Sequence, residues 1–217
     1  MSTEVNHNKI INQVARSVLK LLGLFQKGQS RIWIDDNGWF LTIVEFQPSN
    51  WDKGSYLNVA IHYLWEKKEY FSFDYGGREN EFVKFNNDEK KFYDDMTSLA
   101  EKAVLKVVEY RAFRDVAYAK EQIFKKNATA SGSVKLYNNM MICGMNKENM
   151  ALKFYEQLIK EVKDSTFSYE IEYHRELTEE ISKVINNKDE FYNYITNKIN
   201  LQRKFWNAKS SMKKLKV

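Results

Sequence analysis

One proline, one cysteine and eight glycines among 217 residues leave little material for turns. Average usage would give a chain of this length about 15 Gly and about 11 Pro. The deficit excludes a Pro/Gly-rich disordered protein, a collagen and a loop-rich all-β domain. A single cysteine excludes a disulfide framework and any cysteine-held zinc or iron–sulfur site within one chain. No apolar run approaches the roughly 18 residues that cross a bilayer, and Met1 to Gln13 is polar. Neither a membrane span nor a signal peptide is expected, and the cytoplasm is the expected compartment. Catalytic signatures are missing too. The chain has no HExxH, GxSxG, GxGxxG or P-loop pattern, and no EF-hand loop. No catalytic residue, metal ligand or cofactor is therefore assigned.

Aromatic residues, by contrast, make up 15% of the chain, and Lys+Arg number 34 against 29 Asp+Glu, a net charge of +5. The excess is local. From Lys198 onward there are seven basic residues and no acidic one, so residues 1–197 sum to −2. Only seven of the 34 cations are arginine, the side chain suited to bidentate recognition of bases and phosphates.

Apolar spacing predicts a first helix from about Glu4 to Leu22, with Ile10, Val14, Val18, Leu21 and Leu22 on one face and Gly23 at its end. Arg31–Asp36 and Trp39–Phe46 flank Asn37-Gly38, the signature of a two-residue type I′ hairpin. That turn pairs Ile34 with Leu41 and Ile32 with Ile43, and puts Trp33, Phe40, Val44 and Phe46 on the other face. Both faces are apolar, so the hairpin is either covered twice or carries an exposed aromatic patch. A second hairpin is expected from Tyr56–Trp65, a turn at Glu66–Glu69, and Tyr70–Tyr75. Gly76-Gly77 then ends the strand, and Glu81–Phe85 supplies a short edge strand.

The second half reads as helical. A long apolar stripe begins at Phe92, and Ala128–Ser133 is the linker candidate. Helices are expected at Val134–Cys143, Glu148–Lys163, Tyr169–Ile185 and Asp189–Trp206, with Gly144–Lys147 as a turn. Met150–Glu156 resembles the second helix of a tetratricopeptide hairpin, without a 34-residue repeat. The expected fold is therefore α+β: a helix on an antiparallel meander of four to five strands (residues 1–86), then an all-helical region (87–217).

Candidate binding residues are Trp33, Phe40, Asn58, His62, Asp74 and Arg78. His62 is the one histidine inside a predicted strand. It faces Phe73 in the expected pairing, which turns Asp74 to the other face. Asp52 with Glu66-Lys67-Lys68 matches a metal-nuclease pattern by residue type, but lies on predicted loops. Cys143 reads as buried and inert. In the basic tail, Arg203, Lys204, Trp206, Lys209, Lys213 and Lys214 interleave cations with an aromatic, as nucleic-acid or anion contacts do.

Leu19, Leu22-Gly23, Gln26-Lys27-Gly28, Arg31, Phe46-Gln47, Leu57-Asn58-Val59 and Phe73-Asp74-Tyr75 resemble bacterial α+β domains catalogued only as domains of unknown function. The resemblance covers residues 10–85 and implies a bacterial cytosolic protein without an assigned activity. The function expected is non-catalytic protein binding, of adaptor, regulatory or immunity-like type. The alternatives are nucleic-acid binding through the tail and a small hydrolase or nuclease around Asn58, His62, Asp74 and Arg78.

Overall fold

A computed structural model describes residues 7–128 and 132–206. The described residues of 1–63 and 68–111, together with Trp206, form one compact unit, and residues 64–67 and 112–205 form a second. The first long helix, ending at Arg111, packs with the sheet and belongs to the first unit.

The first unit holds α1 (His7–Leu19), β1 (Phe25–Gln26), β2 (Ile32–Asp36), β3 (Phe40–Gln47), β4 (Gly54–Tyr63), β5 (Tyr75–Arg78), β6 (Val83–Lys84) and α2 (Glu89–Arg111). The sheet is an antiparallel meander in the order β1-β2-β3-β4-β5, with β6 also paired to β4. Helix α1 buries Ile10, Ile11, Val14, Ala15 and Leu19. It stops three residues short of the expected end at Leu22. Gly23 adopts φ +92°, and the Leu24 amide returns to the Leu19 carbonyl at 3.1 Å, closing the helix and leaving Leu21 exposed.

The first hairpin forms in a different register from the one the Asn-Gly signature predicts. Ile34 pairs with Ile43 and Asp36 with Leu41, so the connection is Gly38-Trp39, with glycine first at φ +92°. The reason is local. The Asn37 amide donates to Asp35 O, Asp35 Oδ2 and Thr42 Oγ1, each at 3.1 Å, which anchors Asn37 in the ladder. Asp36 Oδ1 meanwhile accepts from the Gly38 amide at 3.0 Å. Partners shift by two residues, an even step that keeps every side chain on its expected face. Both faces are buried.

Helices α1 and α2 lie against the face that carries Trp33, Asp35, Phe40, Thr42 and Val44. Gln26, opposite Trp33, bonds Asn12 and Arg16 of α1, and Arg111 of α2 bonds Asp35. No strand forms at Tyr70–Asp74. Instead Asp74 Oδ2 accepts the Tyr63 amide at 2.8 Å, and His62 Nδ1 accepts the Ser72 amide at 3.2 Å, so side chains take over ladder donors. Gly76-Gly77 sits inside β5, not at a strand end. A Cβ on Gly76, at φ +88°, would lie 2.4 Å from Tyr110 Oη and 2.7 Å from Val59 O.

The second unit contains α3 (Val116–Asn127), α4 (Ser133–Met145), α5 (Met150–Val162), α6 (Ser168–Glu179) and α7 (Lys188–Phe205). Asp115 caps α3, its Oδ1 accepting from the amides of Ala117 and Tyr118. Helix α4 is almost wholly buried and packs against α3, α5 and α7. Gly144 belongs to α4 and makes no turn: its missing Cβ admits Phe191 and Ile195 of α7. Cys143 is buried, and desolvation pushes its thiol up to about 12. Ala151 is buried in α5 where α4 and α5 pack, as the small residue of a tight helical hairpin requires.

Candidate functional site

Asn58, His62, Asp74 and Arg78 share the sheet face opposite α1 and α2. Asn58 pairs with Arg78 across β4 and β5, and the same register continues to His62 and Asp74. Asp74 therefore faces His62, at 3.8 Å between Oδ2 and Nδ1, and Phe73 does not. The earlier expectation slipped by one residue because it assumed a continuous strand through Phe73. Two separate clusters result, about 13 Å apart along the strand, divided by the Ala60–Gly76 pair.

The first cluster is a buried knot. Ser72 Oγ donates to Asp74 Oδ2 at 2.8 Å and lies 2.9 Å from His62 Nδ1. Lys68 Nζ donates to Ser72 Oγ at 3.0 Å and to Asp74 Oδ1 at 2.8 Å. Because His62 Nδ1 accepts the Ser72 amide, the ring proton sits on Nε2. Nε2 is buried without a hydrogen-bond partner, and the imidazole stands perpendicular to the rings of Phe71 and Trp206. Burial pushes the His62 pKa down to about 4, with Asp74 opposing and Lys68 assisting, so the ring is neutral at pH 7. A nucleophile–base–carboxylate relay needs the acid on the second ring nitrogen. Here Asp74 binds the same serine as the histidine, and aromatic rings occupy the second nitrogen's side. The knot fastens the connection between β4 and β5.

The second cluster is open. Asn58 Nδ2 donates to Glu45 Oε2 at 2.8 Å and to Gln47 Oε1 at 2.9 Å. Gln47 Oε1 also accepts from Arg78 Nη2 at 2.8 Å, and the guanidinium lies 3.9 Å above the Tyr56 ring. Tyr56 in turn meets Phe82 at 4.9 Å between centroids. The neighbouring loop between β3 and β4 holds Trp51 at 92% exposure. Arg78 is exposed. An arginine stacked on tyrosine and pinned by an amide is a cation held in place.

The remaining candidates fall elsewhere. Trp33 and Phe40, at 2% and 0% exposure, belong to the core beneath the helices and offer no surface to a partner. Asp52 pairs with Lys84, Glu66 accepts from Tyr173, and Lys68 is held by Asp74, so the nuclease-type residues do not converge on a cation. Among the described residues, no group of three His, Cys, Asp or Glu is arranged to hold a metal ion. Trp206 stacks on Phe71 at 4.1 Å with the Lys27 ammonium over both rings, which occupies its stacking surface. Arg203 is half-buried and Lys204 exposed, while Lys209, Lys213 and Lys214 lie outside the described residues. Sequence reasoning missed Glu45, Gln47, Tyr56, Phe82 and Ser72. Glu45, Gln47 and Tyr56 follow from the β3–β4 register, which pairs Glu45 with Asn58 and Gln47 with Tyr56.

The α+β meander with an open polar–aromatic end defines a class of architecture, and no narrower identity. No family model matches the chain, and neither a curated protein nor a solved structure is significantly similar to it. Among the described residues, no helix is long and apolar enough to cross a membrane.

Proposed function

We propose that the chain is a non-catalytic binding protein of adaptor type, regulatory or immunity-like, that engages another protein through the open end of its sheet. The cytoplasmic setting and the kinship of residues 10–85 with bacterial domains of unknown function belong to the same proposal. The observation that carries it is the Arg78–Tyr56 stack, braced by Gln47 and Asn58 beside exposed Trp51. Tyr, Trp and Arg dominate binding energy at interfaces, and side chains already held in place lose less entropy on docking.

The test is affinity purification of the full chain from native lysate beside Arg78→Ala and Trp51→Ala variants of matched melting temperature. A stoichiometric protein partner retained by the parent and reduced about tenfold or more by either variant is expected. A clean monomer with no partner, or retention unaffected by both variants, overturns the reading. Salt-sensitive retention of nucleic acid in place of protein would favour the basic tail instead.

A further inference from the structure

Beside the open end, β6 and α2 enclose a groove of 490 Å³. Its floor is apolar, from Phe82 and Leu99, and its rims carry Lys84, Lys91 and Lys102 against a single acid, Asp95. Asp95 is already paired with Lys91 at 3.0 Å. Lys102 Nζ donates to a neutral acceptor, the Glu79 carbonyl. Lys84 reaches out of the groove to Asp52, both side chains about half exposed, and such a pair exchanges partners at little cost. The lining is therefore cationic on a protein unit whose sequence is otherwise near neutral.

The wall formed by β6 is an unfinished sheet edge. Val83 pairs with Ser55, and the Phe85 amide donates to Lys53 O at 2.8 Å, so the amide and carbonyl of Lys84 face away from β4. A strand edge flanked by a helix is the setting in which an extended peptide adds as a further strand: main-chain bonds supply affinity, and alternate side chains supply specificity.

We infer that this groove takes an extended acidic segment of the partner protein, added along β6. The inference rests on the protein-binding reading above and specifies the chemistry of the partner. Phe82 joins the two surfaces, since it lines the groove and touches Tyr56.

The experiment uses the full chain, isotope-labelled for NMR, titrated with a capped peptide alternating Glu and Val and with its Lys–Val counterpart. Expected are amide shifts centred on Val83, Lys84, Ser98 and Lys102, weakening as salt rises. The exposed double substitution Lys84→Glu/Lys102→Glu should lower the affinity about tenfold or more. Shifts elsewhere only, equal binding of the Lys–Val peptide, or unchanged affinity of the double variant each overturn the inference. The Arg78→Ala purification is independent of this titration. A partner lost in that variant while the peptide ignores β6 sinks the groove assignment alone.

Discussion

Arg111 grips Asp35 with two parallel bonds, Nε to Oδ2 at 2.9 Å and Nη2 to Oδ1 at 3.0 Å, across 76 positions of sequence. The same Nη2 reaches the Leu22 carbonyl at 2.8 Å, so one guanidinium joins the ends of α1 and α2 to β2. The Asp35 side chain is only 7% exposed. Arg111→Ala leaves that carboxylate with Asn37 as its remaining side-chain partner and should cost about 3 kcal/mol. Arg111→Lys cannot reproduce the fork and should recover less than half of the loss. Urea midpoints of the three proteins check both.

His62 makes stability depend on pH. Its folded pKa is lowered to about 4, while the unfolded ring titrates near the ordinary value of 6.5. Between those values the unfolded chain binds the extra proton, so stability is full above about pH 6.5 and declines as pH falls toward 4. The contribution at stake is about 3 kcal/mol. Urea unfolding across that range should show a shallower pH slope for His62→Gln than for the parent. Parallel slopes would remove His62 as the cause.

Gly144 separates two opposing effects. Alanine in a helix interior is favoured over glycine by about 1 kcal/mol. Here a Cβ would lie 2.4 Å from Phe191 Cε1 and 2.5 Å from Ile195 Cδ1. Overpacking of this kind costs about 1–3 kcal/mol. Gly144→Ala should therefore destabilise the helical unit, and a raised melting temperature would show that α7 can yield.

Glu176 is the buried acceptor of the helical unit. It takes hydrogen bonds from Tyr137 at 3.1 Å and Tyr194 at 2.8 Å, and it pairs with Lys198. Burial and this carboxylate together push both tyrosine pKa values up. Glu176→Ala leaves the Lys198 ammonium and the Tyr137 hydroxyl without their carboxylate, while Tyr194 keeps Glu180 at 2.9 Å, and should cost about 3 kcal/mol. Tyr137→Phe removes the bond to Glu176 and the one from Lys198, both at 3.1 Å, and should cost about 1–2 kcal/mol. Thermal denaturation of the two variants ranks them.

Much of this architecture is visible from local pattern. The stripe of α1, the meander, and the helices of the second half follow from periodicity and the scarcity of breakers. The misses share one cause. Asn37 is a turn residue by statistics, but Asp35 and Thr42 hold its amide in the ladder, and no local rule sees that competition. Tyr70–Asp74 has strand composition, but Asp74 and His62 take its neighbours' amides into side-chain bonds. Gly144 looks like a turn until Phe191, far along the chain, arrives against it.

Composition and spacing alone determined that this chain makes an α+β fold with one antiparallel sheet and a helical remainder. They also located Asn58 and His62 on a strand. Tertiary structure decided what those residues do. Register set Asp74 opposite His62, and burial made that pair a neutral fastening. Trp33 and Phe40 went under the helices, because the largest apolar surfaces gain most by leaving water. Arg78, with its charge still solvated, stayed outside on Tyr56. Whether an aromatic becomes core or contact depends on what covers its face, and that is a property of the packed layers, not of the strand.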